Sequence, residues 1–275
     1  MRARTISTVL LLSFSVRSAA AQGVGSPQIE AHPNDLALAA LNAALGGVAA
    51  GILRAATHRG FAHGFVGGAF GGAVSYAGRR ISAEEFAGAG LMGREVGAIG
   101  ASMTRSAAFG TGVLDTLVLP IGPLRAYLAS RDLTRAAVRV DAAELTWIGL
   151  AIATPRFRFD LGRSLSSGSV VFVTDRGIRG PSDDARGMTL DGTVFLLADQ
   201  SSRMVDALAH ERVHITQLEY LKIAFGLPYE RWIGRAIGLS PNWFGRHFDV
   251  GIGHYPMWLL LSPLAESEAL RLRRH

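Results

Sequence analysis

The feature that most restricts the fold is a run of glycines four residues apart. Gly60, Gly64, Gly68 and Gly72 recur through an uncharged stretch ending at Gly78, and Gly67 and Gly71 form a neighbouring row. On a helix, spacing by four lays residues along one face, so these glycines make a smooth stripe. Each Gly in a water-exposed helix costs about 1 kcal/mol relative to Ala. A stripe of them is stable only where another backbone comes close enough to offset that cost. A partner lies immediately upstream. Leu36 to Leu53 is 18 residues without a charge, bounded by Asp35 and Arg54. As a helix it is about 27 Å long. The short connection over 54–59 makes residues 36–78 an antiparallel helical hairpin.

Two settings suit such a hairpin. It inserts in a membrane, whose hydrocarbon thickness it just matches, or it packs in water on the rest of the protein. Its Ala and Gly content and Asn42 weaken the drive to insert. Both settings stay open, and membrane contact through 36–78 is one expectation.

The N-terminus supplies a second constraint. Met1-Arg2-Ala3-Arg4 is basic, Ile6 to Val16 is apolar, and Ala19-Ala20-Ala21 offers small residues before Gln22. This is the order of a secretory signal peptide. The expected organisation is a signal peptide over 1–21, a linker over 22–35, a Gly/Ala-rich helical region over 36–128, and a second domain over 129–275. Export, to a periplasmic, secreted or membrane-associated location, follows as an expectation.

Residues 81–128 read as mainly helical, with Ser82 and Glu85 in a capping-box pattern and an apolar bend from Leu117 to Pro123. The texture changes near Ala137. Val138 to Asp141 and Arg156 to Asp160 alternate with period two, and Trp147 to Ala153 and Ser169 to Thr174 are apolar and partly β-branched. Gly162, Gly168, Gly180-Pro181 and Asp191-Gly192 punctuate these runs. A small, mostly antiparallel sheet is predicted, so the fold class is α+β.

Composition closes several routes. At 49% hydrophobic and 18% charged, the chain is one that folds. The formal charge is +6, but the arginines are scattered without basic runs, so nucleic-acid binding is not expected. There is no Cys. Any bound metal must therefore be held by His, Asp or Glu, which suits a catalytic site better than a structural one.

Such ligands occur in His210-Glu211-Arg212-Val213-His214. Random placement of 8 His and 10 Glu in this length yields roughly 0.01 such patterns, so composition alone does not explain it. From Met204 to Lys222 there is no Gly or Pro, and Asp199, Ser201 and Ser202 supply N-cap chemistry. On that helix His210 and His214 lie one turn apart and offer two nitrogens to one metal. Glu211 stands beside them as a general base. Thr193 to Ala198, just upstream, reads as a buried strand. A catalytic zinc takes a third protein ligand. Glu219 is five residues past His214, on another face. Glu230 lies among arginines, and His247, Asp249, His254 and Tyr255 fall in an irregular stretch.

Here the chain resembles the zincin metallopeptidases, over roughly residues 193–270. The metzincin variant would need Gly and His where Gln217 and Tyr220 stand. The closer resemblance is to the gluzincin type, in which a downstream glutamate completes the site. Glu266-Ser267-Glu268-Ala269 matches its Glu-x-x-Ala context. The resemblance implies Glu266 as the third zinc ligand and Glu268 as a supporting or solvent-facing carboxylate. Leu270 stands where that type carries an Asp. It also implies a peptide or protein substrate, and it likens the Thr193–Ala198 strand to the edge strand that aligns the peptide. The leading expectation is an exported zinc metallopeptidase with His210, His214 and Glu266 as ligands and Glu211 as base. The alternatives are an envelope protein whose hairpin carries the function, with the His-Glu helix non-catalytic, and a zinc hydrolase of a non-peptide substrate.

Overall fold

The computed structural model describes residues 33–57, 59–112, 114–129, 136–175, 186–198, 201–226, 248–249 and 264–272. The expected signal peptide lies outside these residues, as do most of the linker, Asp199, Glu230, His247, His254 and Tyr255.

The chain is α+β. Helix α1 (Pro33–Ala56) opens with Pro, whose fixed φ suits a first helical turn, and Asp35 follows in that turn. Helix α2 (Phe61–Ser82) runs from Gly60, and helix α3 (Ala89–Phe109) from Gly88 to Gly110. Helix α2 lies between its two neighbours and meets each through a separate glycine row. A Cβ on Gly64 would sit 2.6 Å from the Ala50 carbonyl oxygen. On Gly68 it would overlap the Gly46 carbonyl, and on Gly72 that of Asn42. On the other side Gly71 faces Gly100 and Thr104, and Gly78 faces Gly93 and Gly97. Gly60 departs from the expected stripe. It has open space around it and φ of 83°, so it serves the turn into α2 rather than the packing.

Two four-stranded sheets follow. In the first, β1 (Thr116–Ile121), β2 (Leu124–Ala129) and β3 (Ala137–Asp141) are successively antiparallel, and β8 (Phe248–Asp249) joins β3 in parallel. The second has the order β4 (Arg158–Phe159), β5 (Val170–Thr174), β7 (Thr193–Leu197), β6 (Gly187–Leu190). Strands β5 and β7 are parallel, and the outer pairs are antiparallel. Asp191 and Gly192, both at positive φ, make the tight turn between β6 and β7, as Asp-Gly pairs do in hairpins. Helix α4 (Ala142–Ile152) starts at Asp141, whose carboxylate caps the Ala143 and Glu144 amides. Helix α5 (Leu161–Ser167) starts likewise at Asp160.

Three local readings are corrected. Residues 116–129 form a β-hairpin, not helix or a bend; Pro120 fits because β1 is an edge strand. Trp147 to Ala153 lies in helix α4 and its C-cap, because the Asp141 cap and Ala142-Ala143-Glu144 start a helix that the apolar run continues. Ser82 ends α2 and does not cap a new helix.

Helix α6 (Ser201–Leu221), continued by a π-helical turn over Lys222–Gly226, is the core element. Ala207, Leu208 and Ile215 pack on Val171, Val173, Val194 and Leu196 of the second sheet. Tyr220 and Leu221 pack with Ala98 and Ala101 of α3 and Val118 of β1. Val213 packs with Leu38 of α1, Tyr76 of α2 and Ala269 of the helix over 264–272, here α7. Residues on both sides of position 129 therefore belong to one compact unit, Ala37–His275.

Candidate metal centre

Helix α6 carries the His-Glu motif because it is unbroken and held on several sides. His210 and His214 point from one face. Helix α7 brings Glu266 to them, and its small Ala269 is fully buried against Val213. The Glu-x-x-Ala spacing thus has a packing reason: Ala lets α7 approach α6, and Glu266 one turn earlier reaches the histidines.

His214 Nε2 lies 3.0 Å from His210 Nε2 and 3.0 Å from Glu266 Oε2, and His210 Nε2 lies 3.4 Å from Glu266 Oε1. An ion held tetrahedrally at about 2.0–2.1 Å separates its ligand atoms by about 3.3 Å. The three donors already stand at that spacing. Glu266 is 53% exposed along its side chain, whereas the histidines are nearly buried, so the cluster opens on the Glu266 side.

Gln217 orients the inner histidine. Its amide nitrogen donates to the Ala265 carbonyl and to Glu268 Oε2, at 3.1 and 2.8 Å. Its oxygen therefore faces His214 Nδ1, 2.8 Å away. That nitrogen must carry the hydrogen and donate it, which turns Nε2 toward the cluster. Glu268 is itself held by Asn42 Nδ2 at 2.8 Å and Arg79 Nη1 at 3.0 Å. Glu268 is buried and supports the site through Gln217. Asn42 is on α1 and Arg79 on α2, so the glycine-packed hairpin reaches the metal centre through two contacts.

Glu211 is buried beside β6. Thr189 Oγ1 donates to Glu211 Oε2 at 2.6 Å, and Gly187 leaves no room for a side chain against Glu211 Cγ. Burial raises the Glu211 pKa, with His214 and Thr189 opposing. Burial disfavours a charged His214, but Glu266, Glu211 and Gln217 outweigh it and raise its pKa. Foremost through its hydrogen bond with His214, Glu266 is lowered. One potential ligand atom from each of His210, His214 and Glu266 faces the same point, and the arrangement can hold a cation. Among the described residues this is the cluster of metal-binding type.

One sequence reading changes, and the exclusion of Glu219 holds. Strand β7, likened to a peptide-aligning edge, is interior: it lies between β5 and β6. The tight Asp191-Gly192 turn folds β6 onto its outer side, and β6 becomes the edge beside Glu211. Glu219 is directed away from the site, into ion pairs with Arg94 and Arg125. Gln217, Thr189, Asn42 and Arg79 went unrecognised in sequence. Only Gln217 left a signal, three residues after His214 and so on the same helix face. No protein-family profile, curated protein or solved structure matches the chain.

Proposed function

We propose that the protein is an exported zinc-dependent peptidase. The observation that carries the reading is the convergence of His210, His214 and Glu266 at 3.0–3.4 Å beside a buried Glu211. Zinc bound by these three residues would polarise a scissile carbonyl and lower the pKa of a water. Glu211 then takes the proton of the attacking water and passes it to the leaving amine. Burial raises its pKa, which strengthens the carboxylate as a proton acceptor. Thr189 holds its carboxylate in place. Strand β6 is the outer strand of its sheet among the described residues and borders Glu211, and an extended peptide can pair with such an edge. This favours a peptide over other substrates.

The test is metal content and peptidase rate on four variants. His210→Ala and His214→Ala should lose zinc and activity together. Glu266→Ala should bind zinc more weakly. Glu211→Gln should keep zinc and lose turnover by about 10²–10⁴-fold. A wild-type protein that takes up no zinc at neutral pH overturns the reading and leaves the non-catalytic envelope protein in front.

A further inference from the structure

We propose that the outer face of the α1–α2 hairpin docks on an anionic lipid bilayer, without crossing it. The inference goes beyond the peptidase reading and does not depend on it.

The face lacks the chemistry of a surface meant for water. Every exposed residue of α1 from Ala37 to Ile52 is Ala, Leu, Val or Ile. Leu41, Leu45, Val48 and Ile52 recur at intervals of four, three and four residues, which makes one stripe. Helix α2 adds Phe61, Val66 and Phe70. His63, near the loop end, is the one polar residue exposed on α2 up to Gly78. A helix at the surface of a globular protein normally turns its charged residues outward. Here the stretch Asp35–Ala56 has the length and composition of a membrane span, and only 33% of its most apolar window is buried.

Lipid fits this face better than a protein does. Protein interfaces carry about one hydrogen bond per 100–200 Å², and the exposed side chains of α1 from Ala37 to Ile52 offer no donor or acceptor. Hydrocarbon asks for none. The charges around the face match a bilayer surface as well. Arg54 and Arg59 stand at the loop end of the hairpin, and no Asp or Glu lies between Leu36 and Ala83, whereas Arg79 is buried on Glu268 and Arg80 pairs with Glu84. Basic groups at the margins of an apolar helix face favour anionic headgroups.

The packing excludes a spanning hairpin. The other side of α2 is occupied by α3, to which β1 is bonded through Ser102 and the Val118 amide. Arg54 and Arg59 tie the loop end to the Ala107 and Phe109 carbonyls of α3. Lipid all round the hairpin would draw the first sheet, with its buried Arg125, into hydrocarbon. One side alone can be immersed, in the manner of in-plane helices that sink about 5–10 Å.

The test is flotation of the full chain with vesicles of phosphatidylcholine, with and without phosphatidylglycerol. The wild type should float, and more completely with the anionic vesicles. A variant with Leu45→Gln, Val48→Gln, Ile52→Gln and Val66→Gln changes only exposed or half-exposed positions. It should keep its thermal transition and bind at least about tenfold less, from the lost apolar contact. If that variant loses its transition, the pair Ile52→Gln and Val66→Gln replaces it, with a smaller loss expected. Equal flotation of wild type and variant overturns the proposal and places the lipid contact elsewhere, the apolar N-terminal stretch included. A wild type that stays unbound overturns it too. Dimerisation in sedimentation that the same substitutions abolish would then assign the face to a second copy.

Discussion

At the scale of single residues, metal binding at the candidate centre depends on which nitrogen of His214 faces inward. Gln217 decides this, because two acceptors fix its amide and leave its oxygen toward Nδ1. Such outer partners of a metal-binding His hold its tautomer and raise its affinity. Gln217→Leu should therefore weaken zinc binding by about 10–100-fold, measured by competition with a chelator. In the metal-free protein, the ring ¹⁵N shifts of His214 should report Nδ1–H in the wild type and a tautomer mixture in the variant. Unchanged affinity would remove Gln217 from the site. His210, Glu211 and His214 were readable from spacing alone, because i and i+4 are neighbours on any helix. Asn42 and Thr189 were not, since their partners are distant along the chain and neither type carries a signature. Lys222 shows the same limit. Nothing local in the sequence marks the lone lysine, which is buried with Asp141 and Asp191 at 2.8 and 3.1 Å.

At the scale of elements, α2 packs on both its neighbours through two glycine rows, and its Arg79 reaches Glu268 behind the candidate metal centre. Replacing Gly68 with Leu puts a side chain where the Gly46 carbonyl and the Ala50 methyl already stand. Neither can withdraw without moving α1. The variant should lose about 3 kcal/mol or more of stability, read by denaturant unfolding. It should also bind zinc less tightly, because α1 carries Asn42 to Glu268. Wild-type stability in Gly68→Leu would mean that α1 does not cross α2 there. The stripe was legible because glycine leaves a gap at a fixed spacing. The hairpin over 116–129 was not, because an apolar run with a proline satisfies a bend as well as an edge strand. Trp147 to Ala153 was misread for a related reason. A short apolar run has no clear period, and its capping Asp141 decided the outcome.

At the scale of the whole molecule, an ion cluster ties both sheets to α3 and α6. Arg94 pairs with Glu219 at 2.6 Å, Arg125 bridges Glu219 and Asp141, and Lys222 joins Asp141 to Asp191. Glu144 lies in the same cluster, 3.7 Å from Arg94, and neither of its oxygens makes a hydrogen bond. Burial pushes its pKa from 4.5 up to about 7, against the pull of Arg94, Lys222 and Arg125. A carboxyl with a raised folded-state pKa keeps its proton in the folded protein while the unfolded chain gives it up. Its contribution to stability is full below about pH 4.5 and declines as pH rises toward 7. Glu144→Gln mimics the protonated form in both states and should flatten the stability profile over that window. Thermal melts at intervals between pH 4.5 and 7 check this. An unchanged slope in the variant would show that Glu144 does not titrate there.

Periodicity and short spacings are local properties, and they carried the helical hairpin, the α+β class and the His-Glu helix. The tertiary structure alone decided how these parts are brought together. It set β6 rather than β7 at the sheet edge, because the tight turn at Asp191-Gly192 folds one strand over the other. Glu266 reached the histidines through the close approach of α7 to α6 at Ala269. The glycine hairpin became a support of the candidate metal centre, because packing α1 against α2 brings Asn42 and Arg79 to the Glu268 carboxylate. Such contacts join residues far apart in the chain, and no local pattern encodes a distance between elements.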